Sequence, residues 1–98
     1  MKIGFNPGSI VDANGAPLQG RVLVYVHDSL EKKSIYTLQG SDYVASENPV
    51  LLDTTGRIPT TLFFEVGVVD VLVEKYIGEP GQMSDASPDT DFEDFDRF

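Results

Sequence analysis

His27 and Asp28 sit side by side at the end of an apolar run, and a histidine next to a carboxylate has the residue types for acid–base chemistry. A histidine general base needs an acid to orient it and a nucleophile to activate. Neighbouring residues on a strand point to opposite faces, so Asp28 is not expected to orient His27, and His27 reads as structural. It is the only histidine, which excludes a multi-histidine zinc site within one chain. There is no cysteine, so disulfides and thiolate metal sites are excluded and nothing points to an oxidising compartment.

The acids divide in the same way. Asp53, Glu65, Asp70 and Glu74 have no spacing that selects a catalytic pair, and single acids on strand faces serve solubility. Asp53 is better read as the residue before a Thr54-Thr55-Gly56 turn, where its carboxylate accepts backbone N–H bonds. "DTDFEDFD" (89–96) alternates acids as a calcium loop does, but lacks the central glycine that the sharp bend requires. "GFNPG" and "GEPG" match no phosphate-cradling spacing. With no tryptophan and no aromatic row beside basic residues, neither a sugar platform nor a single-strand groove is expected. No cofactor, metal or catalytic residue is expected, and the chain reads as non-enzymatic.

A formal charge of −9 opposes nucleic-acid binding. No run approaches the roughly 20 apolar residues of a membrane helix, and the start, broken by Gly4 and Pro7, does not read as a signal peptide. The 98 residues allow one domain. A core of that size leans on a partner when disulfides and metals are absent.

Several stretches must build the scaffold. "RVLVYVH" sets Val22, Val24 and Val26 opposite Leu23, Tyr25 and His27, and "VVDVLVEKY" sets Val69, Val71 and Val73 opposite Asp70, Leu72 and Glu74. Period two with β-branched residues is the strand signal. Strands are expected near 2–5, 9–13, 21–28, 33–38, 49–53, 60–65 and 68–76. Asn14-Gly15 marks a hairpin-type turn, and Gly20, Gly40, Gly56 and Gly67 mark other breaks. Pro49 biases Asn48 to an extended conformation. No window carries a helical stripe. The expected class is all-β, a small antiparallel β-sandwich or open barrel. Phe63 and Phe64 point to opposite faces of their strand, so one fills the core and the other needs a second cover.

Residues 1–78 form this body, and 79–98 form an extended acidic tail with seven acids against Arg97. Such a composition stays disordered alone. Phe92, Phe95 and Phe98, spaced every third residue among Glu93, Asp94 and Asp96, are the pattern of a segment that docks on a partner or sister subunit. The alternative is that it folds back over its own body. Deleting 79–98 is expected to leave the body folded.

"NGAPLQGRVLVYV" (14–26), "SIYTLQG" (34–40), "NPVLLDTTGRI" (48–58) and "LFFEVGVVDVLVEKYIG" (62–78) together resemble a recurrent module of bacteriophage fibre, tailspike and head-fibre proteins. Its most specific part is "NPVLLDTTGR", with Asn48, Pro49, Asp53, Gly56 and Arg57 forming the turn motif. In that motif Arg57 is expected to pair with an acid across the hairpin. Val68 and Val69 stand where the module often has an aromatic. The resemblance covers roughly 9–78, and the chain looks like short head-fibre components of crAss-like phages. It implies a β-sandwich virion structural protein on the capsid surface, made in the host cytoplasm, that anchors or links fibres. The implied partners are other virion proteins, capsid or a second fibre protein, and a sister copy, since two-fold dimers are the commonest oligomers. Nucleic acid and membrane are not among them. The alternatives are a tail-fibre or baseplate adaptor, a host-glycan or receptor-binding module, and an acidic DNA mimic.

Overall fold

The computed structural model describes residues 1–86 and 90–98. The strands are β1 Lys2–Phe5, β2 Gly20–Val26, β3 Tyr36–Gln39, β4 Asp42–Ala45, β5 Val50–Leu51, β6 Leu62–Glu65, β7 Val69–Tyr76 and β8 Phe92–Arg97, with a 3₁₀ turn at Met83–Asp85. They pair antiparallel into two four-stranded sheets, ordered β1-β6-β3-β4 and β5-β2-β7-β8.

The alternation read from the sequence sets the core. Val22 and Val24 of β2 and Val71 and Val73 of β7 supply one layer, and Leu62 and Phe64 of β6 supply the other. Leu18, Ile35, Leu52 and Ile58 close the ends of this single cluster, and Ile3 and Phe5 pack against it from β1. The fold is therefore an all-β, sandwich-like arrangement, as expected.

Several boundaries differ. The strand expected at 9–13 reduces to one bridge, Val11 to Pro17, because 12–16 turns too tightly to sustain a ladder. The expected strand 33–38 begins later, at Tyr36, and continues through a two-residue hairpin into β4. Gly40 has φ +63 at the first position of that loop, the II′ pattern that matches strand twist.

The larger difference is at the C-terminus. An extended tail is not what forms, because β8 returns and pairs along β7 from Tyr76↔Phe92 to Leu72↔Arg97, with a bulge between Val73 and Glu74. The expected division at 78/79 is thus crossed by strand pairing. β8 was hidden because carboxylates are poor strand formers, and the open edge of β7 overrides that preference.

Candidate functional site

Residues 48–57 build an extension of the second sheet and the turn that follows it. β5 meets β2 in the register Val22↔Val50 and Arg21↔Leu51, which continues to Leu52 N–H donating to Gly20 O at 2.9 Å. The same register puts Asn48 opposite Val24. There the Asn48 side chain makes the exchange that a strand backbone would make. Its Oδ1 accepts from Val24 N at 3.1 Å and its Nδ2 donates to Val24 O at 2.7 Å, with a further bond to Lys33 O at 3.0 Å. A side-chain amide thus extends the ladder by one residue next to Pro49, which has no N–H to offer. The Asn48–Pro49 bond is cis.

Asp53 then organises the turn as expected. Its Oδ1 accepts from Thr55 N (2.9 Å), Thr55 Oγ1 (2.6 Å) and Arg57 N (3.2 Å), while Asp53 N donates to Arg57 O and Gly56 N to Asp53 O. The Thr55 hydroxyl, then the backbone N–H groups, hold the Asp53 carboxyl below its usual value. This is a type I turn closed by a left-handed residue, and Gly56 supplies it at φ +77. Arg57 acts through its backbone. Its side chain is exposed and, among the described residues, makes no ion pair within 4.0 Å, though its charge acts at longer range on Asp53 across the turn and helps to lower that carboxyl.

A second turn repeats the design, a relation the sequence reading missed although Asp12-Ala-Asn-Gly15 and Asp53-Thr-Thr-Gly56 share the spacing. Asp12 Oδ1 accepts from Asn14 N and Ala16 N, Asp12 N donates to Ala16 O, and Gly15 has φ +80. The 53–57 turn docks on the segment that leads into the 12–16 turn. Ile10 N donates to Gly56 O at 2.8 Å, and Ser9 Oγ donates to Thr55 O at 2.7 Å.

The four carboxylates that could have formed a catalytic pair are each taken separately. Asp53 caps its turn. Glu65 meets the Met1 ammonium at 2.9 Å and Lys2 Nζ at 3.0 Å, which bring its carboxyl down to about 2. Glu74 receives Arg21 Nε at 2.6 Å on the outer face of β2 and β7.

Asp70 receives His27, and here the sequence reading needs correction. Asp28 lies past the end of β2 with φ +56, so its carboxylate swings back to His27 Nε2 at 3.2 Å instead of facing away. Asp70 Oδ1 meets His27 Nδ1 at 2.9 Å and Asp70 Oδ2 accepts from Asp28 N at 3.0 Å. Asp70 first, then Asp28, raises the His27 pKa, while His27 and the Asp28 N–H lower that of Asp70. The ligating atoms of His27, Asp28 and Asp70 fall within 4.8 Å of one another. Each ring nitrogen already faces a carboxylate, an arrangement that suits an imidazolium donating twice.

The C-terminal residues divide between anchoring and exposure. Phe92 packs on Tyr76 with ring centroids 5.6 Å apart, and the Arg21 guanidinium lies 4.1 Å above its ring. Burial, ahead of nearby Asp91 and Glu79, raises the Tyr76 pKa, and the Tyr76 hydroxyl donates to Glu79 O. Glu93 and Asp94 stand opposite Lys75 and Glu74, and Asp96 opposite Val73. Phe95 and Phe98 remain exposed, at 37% and 60%. Of the acids in 89–96, Asp89 lies outside the described residues.

One assembly was not legible beforehand. No aromatic platform was expected, yet the outer face of the first sheet gathers Tyr36, Tyr43 and Phe63, which are remote in sequence. Tyr36 lies opposite Phe63 across β3 and β6, and Tyr43 meets Phe63 edge-on at 5.4 Å. Lys2 Nζ lies 5.0 Å from the ring centres of both Tyr36 and Tyr43. Gly4 leaves room for the Phe63 ring, since a Cβ there would sit 3.2 Å from Phe63 Cε1. This is the second cover that Phe63 needed, while Phe64 fills the core at 4% exposure.

No family model, no curated protein and no solved structure matches the chain.

Proposed function

We propose that this protein is a non-enzymatic structural component of a bacteriophage virion. It is a dimeric, capsid-decorating head-fibre protein that anchors or links fibres to the capsid. The observation that carries this reading is how the "NPVLLDTTGR" stretch is used. Asn48, Asp53 and Gly56 are spent on ladder and turn bonds, which is the behaviour of an assembly module and not of a reaction centre. The isolated pairing of each polar candidate points the same way. The capsid or fibre partner docks along the exposed side of 92–98, where Phe95 and Phe98 stand among Glu93, Asp94 and Asp96.

Mass spectrometry of density-gradient-purified particles tests the reading. Co-purification in fixed ratio to the capsid protein supports it, and recovery only from the soluble lysate overturns it. The paired substitution Phe95→Ser and Phe98→Ser should abolish attachment while the fold persists. It is a cleaner probe than deleting 79–98, because that deletion also removes β8 and uncovers Arg21 and Tyr76.

A host-glycan module is the second reading, favoured by the face where exposed Tyr43 stands beside half-buried Tyr36 and Phe63, since aromatic rings stack on sugars. Binding on a broad glycan array that is lost in Tyr43→Ala would establish it.

A further inference from the structure

The two sheets have four edges, and three of them are guarded. β5 is two residues long and follows Pro49. β8 carries Glu93, Asp94, Asp96 and Arg97 and is bent by a bulge. β1 carries Lys2, tied to Glu65, and runs into Pro7. Short length, charge, proline and bulges are the means by which proteins keep strand edges from pairing with other chains. β4 has none of these along Asp42-Tyr43-Val44-Ala45 beyond the one charge at its first residue, and all four residues are exposed. Beside it, Leu38 is 47% exposed, Tyr43 46% and Val44 39%.

We infer that β4 is the contact between two copies of this chain, paired antiparallel about a two-fold axis through Val44. The ladder geometry admits only registers that set outward groups opposite outward groups, and the side chains and charges choose among them. In the β3–β4 hairpin Ser46 N donates to Ile35 O, so Thr37 and Val44 are also a mutually bonded pair. The N–H and C=O of Tyr43 and Ala45 therefore point outward, where no described strand lies. Centring on Val44 sets Tyr43 opposite Ala45 of the second copy and Ala45 opposite its Tyr43, so each outward group meets one of its own kind. A one-residue slip would set outward groups against inward ones and turn the faces over.

The side chains agree with this register. Val44 meets Val44 across the axis in the close, non-hydrogen-bonded position. Each Tyr43 keeps its ring on Phe63 of its own copy and faces only the small Ala45 of the second, so nothing bulky obstructs the seam and the aromatic faces of both copies lie on one side. Charge also selects this edge. Copies of a chain with net charge −9 repel each other. In this register Asp42 stands opposite Ser46, and no acid faces an acid. Two β8 edges would bring acids together, which is unfavourable.

The contact rests on the dimer half of the proposed function, but its test is made on purified protein and is separate from whether particles carry it. Sedimentation equilibrium at up to about 100 μM should show a dimer. Val44→Lys sets two ammonium groups face to face and should weaken association by roughly tenfold or more. Ala45→Pro removes an outward N–H that the hairpin does not use, and should weaken it likewise with an unchanged circular dichroism spectrum. Val44→Cys introduces the only thiol in the chain and should give a disulfide-linked dimer on mild oxidation. A monomeric wild type at that concentration overturns the inference. So does a dimer that survives both Val44→Lys and Ala45→Pro, or a Val44→Cys protein that oxidises without linking. If Val44→Lys unfolds, the proline and cysteine variants decide.

Discussion

The turns at 12–16 and 53–57 use one formula and nearly the same hydrogen bonds, yet their glycines live in different surroundings. Around Gly15 a Cβ would meet nothing within 4 Å. Around Gly56 it would lie 2.3 Å from Ile10 O and 3.2 Å from Leu18 N. The first turn is a local solution to reversing the chain. The second is the same solution pressed against 9–18, and it joins the end of β5 to the loop that leads into β2. Local chemistry makes a turn, and packing makes a turn indispensable.

Substituting the two glycines separates these contributions most sharply. Gly15→Ala should cost about 1–2 kcal/mol, the steric cost of a side chain at left-handed φ. Gly56→Ala adds a clash with backbone that cannot rotate away, and the total should reach about 3–5 kcal/mol, read from urea midpoints. Equal losses at the two sites would erase the distinction.

The docked turn is also tied ahead of Asp53, through Asn48. Asn48→Ala leaves the Val24 N–H without a partner, while Val24 O keeps the Lys33 N–H, and should cost about 1–3 kcal/mol. Hydrogen exchange at Val24 should rise more than at Val22, which keeps its backbone partner in β5.

Asp53→Ala and Asp12→Ala should give smaller losses, with Asp53 the greater because it also holds the Thr55 hydroxyl. The sign with pH is fixed. The folded Asp53 carboxyl titrates below its ordinary value, so its contribution is complete above about pH 4 and fades as pH falls through the lowered value. A thermal melting series from pH 5 down to pH 2, wild type against Asp53→Ala, should converge at the acid end.

The reversal after β2 gives the smallest effect and the opposite sign. Ser29 N donates to Val26 O, and His27, Asp28 and Asp70 close the turn by charge in place of burial. The folded His27 pKa is raised, so its contribution is complete below about pH 6.5 and is lost as pH rises through the folded value. His27→Gln should flatten the melting profile on the alkaline side of neutrality. High salt should reduce the wild-type effect, since the group is exposed.

How much of this was legible depends on the range of the interaction. β2 and β7 were readable because their valines alternate over many residues and both strands are central. The Asp53 turn was readable because its bonds stay within a few residues. β4 was not, since a four-residue strand after Gly40 carries too little alternation to register. The pairing of Asp28 with His27 was missed because the rule that neighbours face apart holds on a strand, and Asp28 has already left one. The aromatic face was missed because Tyr36, Tyr43 and Phe63 come from three strands.

By itself, then, the order of residues determined an all-β chain, its two central strands, its Asp-led turns, and the absence of cysteine chemistry. These follow from backbone sterics, side-chain period and composition, which act over short distances along the chain. Tertiary structure decided the rest. It joined 92–97 to β7 against their composition, made Gly56 irreplaceable and Gly15 not, turned the Asn48 side chain into a piece of ladder, and left β4, among the described strands, an unguarded edge. Each of these depends on which backbone groups are already paired when another segment arrives, and only the assembled sheets define that.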